Sequence, residues 1–489
     1  MGNKLKPKIR SVKFNVLMNM ILTSSQMIFP LITLPYVSRV LSTYGTGAVA
    51  FAQSVLSYFS LAALLGIQTY GVKACAAVRD NPHELSRTVR ELLRIILIST
   101  SCVFLLYNIA IFLIPRFSEN RILFFTFGLG LWLASFGVEW FYQAIEQYGY
   151  ITVRNIIFKI IGLILMFLFV NTKDDYYIYG VIVLFSGYGM NVLNIIRLRK
   201  FIDYNKNVKL RIMPHLKRMI WYLIASTSSG MYIQTDMLLL GFLNSTHVVG
   251  LYQLVYKIKN VLVQAVNSVG NVMLPRMTYY KSNNGIQEVS NLIAKNFNFV
   301  GVIFTSIFGI SFLCSEDIVL ILGGRDFAES ALPLILVTPA VFFSASNIIL
   351  GNILITDSRE NEWAIINFIG LIISYIYAAI LISQFGIIGA AITNSLTEFT
   401  VFIMRSIRSK KYLINILPRI DFHKIIFAGI ISVICVSVFK TYFEFTYPIS
   451  SLLVSSFMYL FIFFSLMLII GESFVRQLFS SVFQVIRLR

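Results

Sequence analysis

The sequence predicts an all-α, polytopic membrane protein. Of its 489 residues 57% are hydrophobic and only 13% are charged, and the mean hydropathy is +0.77. That balance leaves too little polar surface for a water-soluble globule. The apolar residues gather into about fourteen runs, most near the twenty-residue length that a hydrocarbon core demands. Basic residues are dense in alternate connections and sparse in the others, as the positive-inside rule requires.

Taken in order, the runs predict spans at 16–38, 48–69, 92–114, 122–144, 155–172, 177–196, 219–242, 248–274, 297–315, 331–354, 363–383, 386–404, 425–439 and 449–470. The stretch before the first, MGNKLKPKIRSVK, is basic, but the span after it is full length and lacks a small-residue cleavage site, so no cleavable signal is expected. Span 1 carries Pro30 and Pro35 and closes on Arg39, ahead of Gly45 and Gly47. Each proline removes a backbone hydrogen bond, so this helix is expected to bend and to serve as a hinge. The longest connection, about 197–218, is basic and follows span 6. It divides the chain into an N-terminal lobe (1–200), a linker (201–218), a C-terminal lobe (219–412) and an appendage with tail (413–489). An internal echo supports two halves: VLSTYGTGAVAF leads span 1 into span 2, and GFLNSTHVVGLYQL leads span 7 into span 8. Transporters commonly consist of two such repeats.

Charge and composition also exclude functions. With the N-terminus placed in the cytoplasm, about 31 of the 41 Lys and Arg fall on cytoplasmic segments and about 6 outside; Arg94, Lys159, Lys257 and Lys259 fall within spans. The net charge of +19 thus records topology and attraction to anionic lipid rather than nucleic acid. Both termini are expected in the cytoplasm. Cys75, Cys102, Cys314 and Cys435 are scattered, as are the four histidines, so neither a disulfide frame nor a metal site is expected. No Walker-type phosphate loop occurs and no connection is long enough for a catalytic domain, so a carrier without a cofactor is expected rather than an enzyme.

Ionisable groups within spans are the default functional candidates. Asp236 and Lys257 differ in expected depth by roughly 4–5 Å, at 1.5 Å per helical residue. They form either an ion pair pinning spans 7 and 8 or, for the lysine, a site for an anionic substrate. Lys259 points away from Lys257, about 200° round the helix. Glu139 and Glu146, with Arg154 and Lys159 nearby, read as a salt-bridge cluster or as contacts for a sugar or phosphate. Glu398, near Thr393, Asn394 and Thr397, reads as a packing residue or, with Asp236, as an ion-coupling site. Arg39 is either an interfacial anchor or a two-donor phosphate contact.

The stretch FPLITLPYVSRVLSTYGTGAVAFAQS resembles the first helical hairpin of Wzx-type polysaccharide flippases of the MOP exporter superfamily. The resemblance continues through VEWFYQAIEQYGYITVRN, QTDMLLLGFLNSTHVVGLYQLVYKI, VGNVMLPRM and FGIIGAAITNSLTE, in the family's order over spans 1 to 12. It implies two six-helix lobes in a V with a cationic central cavity. It also implies translocation of an oligosaccharide repeat, linked to undecaprenyl pyrophosphate, from the inner to the outer leaflet of a bacterial cytoplasmic membrane. Polysaccharide polymerase and glycosyltransferases would then be partners. On this chain the cationic cavity points to Arg39, Lys257 and Lys259. The sugar would meet polar side chains such as Gln53, Ser54, Tyr58, Gln234, Gln253, Gln264 and Asn267. The related lipid II flippases, and the multidrug antiporters of the same superfamily, are the alternatives.

Overall fold

The computed structural model describes residues 10–203, 211–282, 286–443 and 445–477, and among them there is no strand. The basic linker and the C-terminal tail therefore lie partly outside the described residues. The helices are α1 (Val12–Leu64), α2 (Ile67–Ala76), α3 (Pro82–Leu113), α4 (Arg121–Ser135), α5 (Glu139–Ala144) and α6 (Tyr148–Phe169). They continue with α7 (Tyr176–Leu184), α8 (Met190–Leu198), α9 (Ile212–Tyr232), α10 (Thr235–Leu243), α11 (Thr246–Ser282) and α12 (Ile286–Leu322). The last six are α13 (Ala331–Val337), α14 (Pro339–Thr356), α15 (Glu360–Arg408), α16 (Lys410–Ile416), α17 (Phe422–Tyr442) and α18 (Pro448–Ile470).

Each predicted span coincides with one or two of these helices. Ten described helical segments are long and apolar enough to cross a membrane. Two of the ten, Lys13–Ala76 and Glu360–Arg408, each hold two predicted spans. The chain is a multi-pass membrane protein.

The differences from the predicted spans lie in where helices break. Spans 1 and 2 are joined as α1 across a kink at Ser42 (φ 56°), and spans 11 and 12 as α15 across Gly386 (φ 52°). Pro30 and Pro35 both lie inside helical backbone of α1, so the non-helical residue is seven beyond the second proline. Span 2 stops early, because Leu65 and Gly66 both take positive φ and only then does α2 begin. A Cβ on Gly66 would meet the backbone of Tyr222 and Leu223, so this left-handed turn is also a close approach to α9. Spans 4, 6, 7 and 10 are likewise interrupted, at residues 136–138, by a π turn at 185–189, at Ile233–Gln234 and at Thr338. Local capping fixes other ends. Asn81 accepts from the backbone N–H of His83 and Glu84 with Pro82 in the first turn, and Gly471 (φ 73°) ends α18.

The chain forms two compact units, Met1–Gly250 and Leu251–Arg489. At one end of the first unit, Trp140, Phe141, Tyr142 and Ile145 build a core with α2 and α3. Gly71 lets α2 lie directly on the Trp140 ring. In the second unit α17 and α18 dock on α12, where the Tyr459 hydroxyl donates to Thr305 O (2.8 Å) above Gly309 and Gly429. Large apolar side chains such as Leu105, Phe112, Ile122, Phe457 and Phe461 remain exposed, as a lipid-facing perimeter requires.

Candidate functional site

The candidate residues distribute over both units. In the first, Arg39 is exposed on α1 and donates to Pro35 O (3.0 Å). Gln53 is half-buried on the same helix. Tyr58 is buried, and its hydroxyl donates to Met231 O (2.8 Å) and lies 3.1 Å from Thr235 Oγ1. It therefore ties α1 to the break between α9 and α10, where Met231 O also accepts from Gln234 N (3.0 Å) and Thr235 Oγ1 (3.0 Å). Gln234 occupies that break, and buried Asp236 follows it, accepting from its neighbour Met237 N (2.9 Å).

The two echoing turns meet. The Thr43 hydroxyl lies 2.6 Å from His247 Nδ1. A Cβ on Gly47 would collide with Thr246 O, and one on Gly250 with Thr43 O, so only glycine permits this backbone-to-backbone crossing. Arg116 braces it, donating to Gly241 O (2.9 Å), Asn244 O (2.8 Å) and Thr246 Oγ1 (3.3 Å), which neutralises the carbonyl end of α10.

In the second unit, Gln253, Lys257, Gln264 and Asn267 are half-buried on α11. Lys259 is buried, donates to Asn394 Oδ1 (3.3 Å) on α15 and lies 5.0 Å from the Tyr256 ring centre. Glu398, about three turns short of the end of α15, is buried and accepts from Asn347 Nδ2 (2.8 Å) on α14. Lys259 and Glu398 thus belong to one polar interior, in which Arg405 donates to Asn347 O (2.5 Å) and Asn367 Oδ1 (2.7 Å). Several oxygens there, among them Asn347 Oδ1, Thr393 Oγ1 and Thr397 Oγ1, are buried without a hydrogen-bond partner. Such an interior holds charge in a low-dielectric setting with polar groups to spare, as binding or ion coupling would need.

Sequence reasoning missed three members of this network. Arg405 falls one residue past predicted span 12, in what the sequence reads as a basic connection, but α15 continues to Arg408 and buries it. Asn347 and Asn367 are neutral and do not stand out in an apolar run. An asparagine in mid-span is costly in hydrocarbon, and that was the available signal. In the first unit the Glu139–Glu146 cluster forms as ion pairs: Arg154 Nη2 to Glu139 (3.2 Å) and Arg79 to Glu146 (2.7 Å). Among the described residues no group of His, Cys, Asp and Glu could hold a metal.

Residues 12–281, more than half of the chain, match the family model described as polysaccharide biosynthesis protein. The chain belongs to that family. It is 24% identical over 414 residues to an Escherichia coli K12 protein named an O-antigen transporter, with 83% of this chain and 98% of the relative covered. A second relative, from Haloferax volcanii and named a low-salt glycan biosynthesis flippase, is 25% identical over 36% of this chain and 38% of its own. Among solved structures, the lipid II flippase MurJ in an inward closed conformation is similar over 97% of this chain and 100% of its own, with a TM-score of 0.73 at 15% identity. An inward-facing MATE-family transporter of the MOP superfamily covers 84% and 96%, at 0.57 and 11%. At such identities the likeness is one of fold. The fold is the one the sequence predicts, and its resemblance to the Wzx-type flippases is borne out.

Proposed function

We propose that this protein translocates an oligosaccharide repeat, carried on undecaprenyl pyrophosphate, from the inner to the outer leaflet of a bacterial cytoplasmic membrane. The observation that carries the reading is the polar interior of a chain whose perimeter is apolar. Glu398 and Arg405 are buried with amides and hydroxyls inside a segment long and apolar enough to span a bilayer, and Lys259 on α11 is buried against the same segment through Asn394. Membership of the polysaccharide biosynthesis family, and the transporter and flippase names of its relatives, supply the substrate class.

The physics is consistent with that task. A sugar hydroxyl costs about 2–7 kcal/mol to bury in hydrocarbon without a partner, and a pyrophosphate costs far more. A carrier need only hold the head group among polar and basic side chains while the prenyl tail stays in lipid. In this reading Arg39, Lys257 and Lys259 hold the pyrophosphate; Gln53, Tyr58, Gln234, Gln253 and Asn267 meet the sugar; Asp236 and Glu398 couple an ion. Residues 1–200 and 219–412 are the lobes that alternate, with Pro30 and Pro35 as hinge. Both termini face the cytoplasm, where glycosyltransferases make the repeat; a polymerase consumes it outside. The protein does no covalent chemistry.

The test is reconstitution in liposomes with a labelled undecaprenyl-pyrophosphate oligosaccharide, followed by an impermeant sugar-modifying enzyme on the far side. Protein-dependent exposure is expected, and it should fall at least tenfold when Arg39, Lys257 and Lys259 are each replaced by Gln. Exposure of lipid II alone would move the substrate to the peptidoglycan precursor. Extrusion of organic cations without glycolipid exposure would make the protein a multidrug antiporter and end the proposal.

A further inference from the structure

A groove of about 460 Å³ lies at the basic end of the first unit, between α3, α4 and α8. Leu93, Ile96 and Leu97 line it from α3, Ser135 and Phe136 from the end of α4, and Ile195 and Arg199 from α8. Its wall is apolar apart from two groups. The Ser135 hydroxyl is already satisfied, lying 2.5 Å from Thr100 Oγ1 and donating to Leu131 O (2.9 Å). The other is the Arg199 guanidinium, exposed at the end of α8, one helical turn from Ile195.

We infer that this groove binds an anionic phospholipid of the surrounding bilayer, its acyl chain along the apolar wall and its phosphate on Arg199. Three observations favour that occupant. The flanks Leu97, Ile98 and Ile196 are 42%, 58% and 57% exposed, so the groove opens on the apolar perimeter that hydrocarbon covers. Arg199 has no acidic partner among the described residues, and neither has exposed Arg94, next to Leu93. Arg197, by contrast, is engaged, stacked 3.8 Å from the Tyr150 ring centre and bonded to Gln147. A cation at a helix C-terminus is favoured by the dipole alone, which accounts for the charge but not for the apolar groove beside it. The lining also lacks side-chain amides, and its one hydroxyl, on Ser135, is already bonded, so this site differs from one for the transported glycan. Basic pockets between transmembrane helices on the cytoplasmic side bind lipid head groups by this chemistry.

The experiment is lipid titration of the purified full-length protein in detergent, read by native mass spectrometry, with phosphatidylglycerol or phosphatidylcholine. Phosphatidylglycerol should be retained preferentially, and Arg199→Gln should weaken it about fivefold, one surface guanidinium's share. Leu97→Trp, which fills the groove, should lower its occupancy while leaving Arg199 in place. Lys200→Gln removes the same charge one residue outside the groove and should leave binding at the wild-type level. Equal losses in Arg199→Gln and Lys200→Gln, or no preference for the anionic lipid, would overturn the inference and leave only diffuse attraction.

Discussion

The basic end of the first unit and the interior of the second treat buried charge in opposite ways. In the first, buried charge meets charge: Arg154 with Glu139, and Glu91 with Arg87. In the second, charge meets amide: Lys259 with Asn394, Glu398 with Asn347, Arg405 with Asn367. A charge-paired site is neutral already and is costly to break, because either partner alone is stranded. An amide-held charge keeps its field for whatever enters. The difference suits a structural clamp in one place and a responsive interior in the other.

The largest effect is expected from Glu139→Ala. The Arg154 side chain is 2% exposed, so losing its carboxylate leaves a buried cation with Asn194 and the Tyr150 ring. The cost should be about 2–3 kcal/mol, below the ~3–5 kcal/mol of a fully buried pair because Glu139 is partly exposed, read as a lower thermal midpoint in detergent. Arg154→Met should cost less, about 1–2 kcal/mol, because Glu139 is 24% exposed and can reach water. Equal costs would mean that the pair is not asymmetric in burial, and the clamp reading would fail.

The order and approximate bounds of the spans were legible in the sequence, because apolar runs of membrane length and alternating loop charge are strong signals. Breaks were not. Ser42, Leu65 and Glu146 take positive φ without being glycine, and only tertiary packing selects such conformations. The meeting of Thr43 with His247 was half legible. The two turns were recognisable as an echo, but nothing local says that repeated turns touch. The polar interior was legible where it is charged, at Lys259 and Glu398. It was invisible at Asn347 and Asn367, since amides do not stand out in an apolar run. Arg405 was mislaid because a terminal arginine fits the positive-inside pattern equally well.

Glu398→Gln sharpens the comparison from the other side. The new amide oxygen can still accept from Asn347 Nδ2, so the hydrogen bond between α14 and α15 is kept while the charge is removed. Stability should change by less than about 1 kcal/mol, as for a neutral hydrogen bond exchanged for another. Glycolipid exposure in liposomes should nevertheless lose its dependence on an imposed ion gradient. A large loss of stability would show that Glu398 is a packing charge like those of the first unit.

The smallest effect tests whether the contrast is one of unit or of depth. At the rim of the second unit charge again meets charge: Lys424 Nζ lies 2.9 Å from Asp421, just before α17, and Ser473 N donates to the same carboxylate (3.0 Å). Burial opposes ionisation of Asp421, but the Lys424 ammonium and the Ser473 groups outweigh it and hold the carboxyl below its ordinary value. A carboxyl whose pKa is depressed by folding contributes stability that is complete above the unfolded value, about 3.9. The contribution is lost as pH falls through the lower folded value. Asp421→Asn should therefore cost about 0.5–1 kcal/mol at pH 7, discounted for partial exposure. Its thermal midpoint should converge with that of the unaltered protein as pH drops below 4. A gap that persists in acid would assign the loss to the Ser473 hydrogen bond and not to charge. A gap that closes puts the boundary between charge pairing and amide pairing at the depth of the membrane, within one unit.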